Sequence, residues 1–398
     1  MNLIGGILQI IAVTVLNVRS MGERISSSAV SVIGIAGVVM VFIGILSVAE
    51  GFRATLTENT PPENVMVLRS SATSELDSGL SYDQTQIVAQ TPGVAVDPEN
   101  NPLASAELFV VVDVPRRTTG TGSNVPLRGV QPGAFSVRDM RIVEGRNFTP
   151  GLNEIIVGQG AAAQFAGLEV GNQLTWGSNT WNVVGIFEAK GGIAESEIWA
   201  DVRVVQDIYR RGNTYQTMRV KLESPEAFTE FKDTLTADPR MNVQIKTERE
   251  FYAEQSRALS AFITYIGFSI AVLMGLGAMF GAVNTMYTAV SNRAGEIATL
   301  RALGFGRFPV LLSILLESLF LGLLGGLIGG VAAYLIFNGY QVSTLSFTSF
   351  SQVTFAFAVT PELLVRGATY AILLGFIGGI LPSIRAARLP IATALREL

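Results

Sequence analysis

The segment "NRAGEIATLRALGFGR", residues 292–307, lies between two long apolar runs. No charged residue occurs from 258 to 292, and from 308 to 337 the single charge is Glu317. A chain crosses a bilayer as a helix of about 20 mostly apolar residues. Both runs exceed that, while the segment between them carries Arg293, Glu296, Arg301 and Arg307 and cannot be buried in lipid. It therefore reads as a short charged helix separating two membrane-spanning helices.

Working outward, residues 25–49 and 367–384 are two further uncharged runs, making four spans. The whole chain of 398 residues is 49% hydrophobic, with mean hydropathy +0.42 and only 15% charged residues. An ordinary soluble domain carries about 25% charged residues. Residues 51–256 hold 26 acids against 18 bases, a net of −8, and the remainder holds 6 against 10, a net of +4. The middle is thus an acidic, water-soluble domain set between membrane segments, and nothing has the size of a nucleic-acid-binding basic patch.

Arginines mark the orientation. Arg19 and Arg24 precede the first run, Arg293, Arg301 and Arg307 separate the second from the third, and Arg385, Arg388 and Arg396 follow the fourth. All fall on one side, which the positive-inside rule makes cytoplasmic. The expected boundaries are an N-terminal interfacial helix over 1–24, spans over 25–50, 257–290 (with a stalk), 308–338 and 363–385, and an extracytoplasmic domain over 51–256. The charged helix occupies 291–307, an outer loop 339–362 and a cytoplasmic tail 386–398. Residues 3–18 are apolar but short, so an extra span competes with the interfacial helix there. The outer loop "STLSFTSFSQVTFAFAV" carries no charge and is expected to rest on the bilayer, an apolar ligand site being the alternative.

Within the outer domain, "VMVLR" (65–69), "MRVKL" (218–222) and "VQIKT" (243–247) read as strands. "SYDQTQIVAQTPGV" reads as a helix capped by Ser81 and stopped at Pro92-Gly93, and "SPEAFTEFKDTLTAD" as one capped by Ser224 with Pro225 in its first turn. The order is that of a split βαβ unit. Between its halves, about 103–201, lie short β runs broken by Gly, Pro and Asn. The expected fold is a membrane α-helical bundle of four transmembrane helices plus an α+β extracytoplasmic domain, made of a split βαβ subdomain with an antiparallel β-rich insert.

The chain has no cysteine and no histidine, which excludes disulfides, thiolate metal sites and any triad that needs either residue. A P-loop needs Gly directly before its Lys. Lys190, Lys221, Lys232 and Lys246 follow Ala189, Val220, Phe231 and Ile245, so none qualifies. No catalytic, metal or cofactor-binding residue is expected. The Gly-rich stretches, with Gly322, Gly326 and Gly330 four apart and Gly325 and Gly329 beside them, read as close helix packing. Glu317 is costly inside a membrane helix. It is expected to meet an Arg or a helix end near the cytoplasmic interface, with a proton or substrate role as the rival.

"VPLRGVQPGAFSV", "RIVEGRNF", "EIIVGQGAA", "VGNQLTWG" and "NVVGIFEA", then "NRAGEIATLRALGFGR", "LLESLFLGLLGGLIGG" and "LPSIRAARLPIATALREL", carry a resemblance over nearly the whole chain. It resembles the MacB/FtsX-like permeases of ABC transporters, the mechanotransmission class related to the lipoprotein-releasing permeases. The resemblance implies a multi-pass inner-membrane subunit with a MacB-like extracytoplasmic core, paired with a second copy or a paralogue. A separate ABC ATPase subunit would bind ATP and Mg. Membrane lipid is a partner, and a periplasmic adaptor or outer-membrane partner a further candidate. The short charged helix would be the ATPase-coupling element, with Arg293, Glu296, Arg301 and Arg307 at a polar interface and Ile297, Leu300 and Leu303 as its apolar anchor. Gly304 would end it. The implied function is ATP-driven work on an extracytoplasmic or outer-leaflet substrate, by export or by lipid or lipoprotein extraction. The alternative is an FtsX-like regulatory role that moves an extracytoplasmic partner without transport.

Overall fold

The computed structural model describes residues 25–57, 60–346 and 349–390. The interfacial helix expected over 1–24 and the end of the cytoplasmic tail lie outside the described residues. The chain divides into a helical unit (Met1–Glu50, Ala261–Asn338 and Ala358–Leu398) and an outer unit (Gly51–Ser260 and Gly339–Phe357).

Four helices among the described residues are long and apolar enough to cross a membrane: Ser28–Thr57, Leu259–Asn292, Arg307–Phe337 and Pro361–Ala387. The first lies within the helix Ile25–Thr57, which runs past the expected end of the first span, and the second within the 45-residue helix Glu248–Asn292. At a rise of 1.5 Å per residue, 45 residues extend about 68 Å, roughly twice a bilayer's hydrocarbon thickness. The last helix starts on Thr360, whose side chain accepts from the Leu363 amide, with Pro361 in the first turn, where its missing N–H costs nothing.

Small residues bring the helices of this unit together, and they do so on two faces. A Cβ on Gly322 would stand 2.8 Å from the Ala371 carbonyl oxygen, and one on Gly326 2.7 Å from the Ala371 methyl, so these glycines admit the last helix. A Cβ on Gly329 would collide with the Ala36 carbonyl oxygen, and one on Gly325 would crowd Ile35, so these admit the first. Ser318 Oγ donates to the Gly375 carbonyl at 2.6 Å, an interhelical bond of the kind small polar residues make in membranes.

The outer unit is built on a sheet with strand order β12-β1-β11-β3-β4-β9-β6-β8-β5, with β7 also paired to β8. The strands are β1 (Asn64–Arg69), β2 (Leu80–Ser81), β3 (Ala104–Pro115), β4 (Gly122–Val130), β5 (Arg141–Gly145), β6 (Glu154–Gly158), β7 (Gln173–Trp176), β8 (Asn179–Glu188), β9 (Ile198–Asp201), β10 (Thr214–Tyr215), β11 (Thr217–Lys221), β12 (Val243–Thr247), β13 (Gln341–Leu345) and β14 (Gln352–Ala356). β11 and β12 flank β1, both antiparallel to it, with the helix Phe228–Ala237 between them in sequence. β3 joins the two halves of the sheet, pairing with β11 through residues 104–107 and with β4 through 108–115. The Tyr82–Ala89 helix starts in a capping box made by Ser81 and Gln84.

Three expectations are refined. The insert is mainly antiparallel but not wholly so, since β4 runs parallel to β9 and β6 parallel to β8. The segment after Ser224 begins as a 3₁₀ turn, Pro225–Ala227, and becomes α-helical at Phe228. The outer loop, expected as a surface segment, folds as a hairpin. β13 and β14 form a hairpin belonging to the outer unit, where Val353 and Phe355 are buried. The polar residues of β14, Gln352 and Thr354, are buried along with the apolar ones. The Thr354 amide donates to Ser196 Oγ at 2.8 Å, and Arg116 donates to Gln352 at 2.8 Å.

Candidate functional site

In the helical unit the charged segment folds as the helix Ala294–Ala302. Residues four apart share a face of a helix, and Arg293, Ile297 and Arg301 fall on one. Arg293 stands at the junction with the preceding long helix. Its Nη1 is 2.9 Å from Glu317 Oε2, and both side chains are buried. Ile297 packs in a buried cluster with Met286, Val290, Val310 and Ile314. Arg301 Nη1 donates to the carbonyls of Ala387 at 2.9 Å and Leu389 at 3.2 Å. Carbonyls at a helix end have no partner within the helix and favour a positive charge.

Arg293, Ile297 and Arg301 therefore bind the chain to itself; Arg293 and Ile297 are buried, which corrects the expectation that they face outward, while Arg301 is half-buried. The expectation went wrong because amphipathic spacing shows that two faces exist without saying which one the protein covers. The neighbouring face carries Glu296, Leu300 and Leu303. The Glu296 side chain is 60% exposed, within 3.5 Å of Arg293, Leu300 is half-buried and Leu303 is 72% exposed. Gly304, with φ +98°, stands just past the helix end, where its amide bonds to the Arg301 carbonyl and the Phe305 amide to the Leu300 carbonyl. This is a Schellman stop, and its left-handed residue favours glycine. Arg307 is exposed, and so is Phe308, which the sequence reading did not single out.

The sequence reading also missed a buried charge cluster in the outer unit. The Arg128 guanidinium meets Glu197 at 2.7 and 2.6 Å, Glu75 at 2.7 and 2.9 Å, and Glu107 at 3.0 Å. Arg219 donates to Glu107 at 3.0 Å, to the Tyr252 hydroxyl at 2.7 Å and to Glu248. Arg138 reaches Glu107 at 2.5 Å and lies over the Trp199 ring, whose indole N–H donates to Glu197 at 2.7 Å. Asn64 donates to Glu248 at 3.2 Å and to the Val137 carbonyl at 3.1 Å. Arg128 and Arg219 are among the largest fully buried side chains. Sheet register assembles the group: Arg128 stands opposite Phe109 on β3 and Trp199 on β9, and Glu107 opposite Thr217 on β11.

Burial by itself would raise the Glu75 carboxyl, but the charges of Arg128 and Arg219 outweigh it and hold the group at about 2. Glu197 is likewise lowered, the cost of burial being overcome by Arg128 and Arg138. Burial raises the Tyr252 hydroxyl. A signal was present in the sequence. Glu107 in "AELFVVV" and Arg128 in "VPLRGV" are lone charges inside apolar strand runs, where an unpaired charge would be prohibitive, and Arg219 in "MRVKL" stands between Met218 and Val220.

The MacB-like periplasmic core domain matches residues 28–238, and the FtsX-like permease C-terminal domain matches residues 268–391. The chain belongs to the MacB/FtsX-like ABC transporter permeases. This permease is 24% identical over 408 residues to the macrolide export ATP-binding/permease protein MacB of Hyphomonas neptunium, covering 95% of this chain and 60% of that protein. It is 25% identical to MacB 1/2 of Paracoccus denitrificans, covering 92% and 55%, and 25% identical to the uncharacterized ABC transporter permease YknZ of Bacillus subtilis, covering 69% and 70%. The permease thus spans less than two thirds of the length of these MacB relatives. Among solved structures, the periplasmic region of MacB from Actinobacillus actinomycetemcomitans aligns with TM-score 0.37 and 11% identity, over 48% of the permease and 91% of that chain. The extracellular domain of YknZ aligns with TM-score 0.34 and 16% identity, over 46% and 100%.

Proposed function

We propose that this permease is a non-catalytic inner-membrane subunit that couples ATP hydrolysis by a separate ABC ATPase to work on an extracytoplasmic or outer-leaflet substrate. The observation that carries the reading is the fixing of the short helix Ala294–Ala302 at both ends. Arg293 binds Glu317 in the third span helix, and Arg301 binds the C-terminal carbonyls of the fourth. A helix held in this way cannot shift without moving the spans that hold it. Its exposed residues Glu296 and Leu303, with the half-buried Leu300, meet the ATPase, and the 45-residue helix Glu248–Asn292 carries the displacement along its own axis. The outer unit is extracytoplasmic, on the side opposite the arginines, and the permease works as a pair with a second copy or a paralogue.

The test is co-purification of the ATPase beside its substrate-stimulated turnover. Truncating an interface anchor costs about 2 kcal/mol, which lowers occupancy roughly thirtyfold at tenfold per 1.4 kcal/mol. Leu303→Ala and Glu296→Lys should therefore lose the ATPase while the permease stays folded and inserted. The Glu296→Lys effect should weaken with salt. Full recovery of ATPase and of stimulated turnover in both variants would overturn the assignment.

A further inference from the structure

The buried cluster gathers residues from three separate parts of the outer unit's connections. Asn64 lies seven positions after the end of the helix Ile25–Thr57. Glu248 and Tyr252 belong to the first turns of the helix Glu248–Asn292. The hairpin from the loop after the third span helix arrives as well. Its Ser349 and Ser351 line a cavity of about 20 Å³ with Glu75, Arg128, Tyr252 and Gln255. The other partners, Glu107, Arg128, Glu197 and Arg219, come from the sheet or its margin.

We propose that this cluster is a rigid joint, in which Glu248 and Tyr252 are positioning residues that make the β-domain turn as one body with the start of the Glu248–Asn292 helix. Stability alone does not explain charges here. A buried ion cluster bears a large desolvation cost, and well-packed apolar residues of similar volume often serve stability as well or better. Directional bonds provide something apolar contact does not. Arg219 holds Glu248 and Tyr252 one helical turn apart, while its Nε bonds Glu107 on β3. Rotation of the helix about its axis would break both holds at once, whereas an apolar face could slip. Asn64 fixes Glu248 from another side. The inference rests on the coupling function proposed above, because a joint matters where force is carried through it.

Four glutamates face three arginines in the cluster, so Glu248→Gln leaves three of each and keeps the side chain's shape. Tyr252→Phe removes one hydroxyl and retains the ring beside Phe251. The chain has no native cysteine, so spin labels on cysteines introduced at the exposed positions Arg257 and Thr175 report one distance across the joint. In the full-length permease at rest, the native background and Glu248→Asp should give a single narrow distance. Glu248→Gln and Tyr252→Phe should lose it to a broad distribution, while the thermal transition seen by tryptophan emission stays near native. If Glu248→Gln lowers that transition, Tyr252→Phe decides. A narrow distance in Tyr252→Phe would overturn the joint. The resting distribution judges the joint alone. In the assembled complex, a native distance between the helical and outer units that ATP does not change would count instead against the coupling function.

Discussion

Arg128 in the outer unit and Gly329 in the helical unit both lie in buried interiors, and they are opposite in size and charge. Arg128 fills its site with a long cation that meets three glutamates. Gly329 leaves its site empty so that the Ala36 carbonyl can come close. The difference follows from how each unit satisfies its backbone. Strands bond to their neighbours, so the sheet is held together before side chains are counted, and its interior can take large or charged groups if each finds a partner. A helix satisfies its own backbone, and in lipid there is little hydrophobic drive for one helix to seek another. Close approach then depends on small residues.

Substituting at these two centres sets the contrast at its sharpest. Arg128→Met keeps most of the volume but leaves four buried carboxylates with two arginines. Removing one partner from a buried ion group costs about 3–5 kcal/mol. The outer unit should lose that much stability in denaturant titrations followed by tryptophan emission, which reports this unit because Trp176, Trp181 and Trp199 all lie in it. A loss below about 1 kcal/mol, the range of exposed pairs, would mean the cluster is not a buried unit. Gly329→Val should act on the other unit. Overpacking costs about 1–3 kcal/mol, and the expected result is looser association of the first and third span helices, read as faster proteolysis in detergent with tryptophan emission unchanged. A change in emission instead would break the division between the units.

A third effect concerns acid. Glu75 has a folded-state value of about 2 against an ordinary 4.5, and Glu197 is shifted in the same direction. Such carboxylates contribute stability that is complete above their unfolded values and is lost as pH falls through the folded ones. The tryptophan-monitored melting temperature should lose this contribution progressively between pH 4.5 and about 2. In Arg128→Met the carboxylates lack their main counter-charge, so the loss should begin at higher pH. Identical acid profiles for the two proteins would separate Glu75 and Glu197 from Arg128.

The membrane-length helices were legible because length and hydropathy are sums over neighbouring residues and need no knowledge of the rest of the chain. The Ser81 cap and the Gly304 stop were legible for the same reason, since each acts within a few residues of itself. The small-residue stretch pointed to close helix packing, but its division into a Gly322–Gly326 face for the last helix and a Gly325–Gly329 face for the first depended on where those helices lie. The short helix advertised two faces, and only packing made Arg293, Ile297 and Arg301 the inner one. Tertiary structure alone assembled the charge cluster. Asn64 and Glu248 are 184 positions apart, and Glu107 and Arg219 are 112. Each of those charges is a puzzle within its own strand or helix, because what makes it tolerable is a partner brought near by strand register, and register is a property of the folded sheet as a whole.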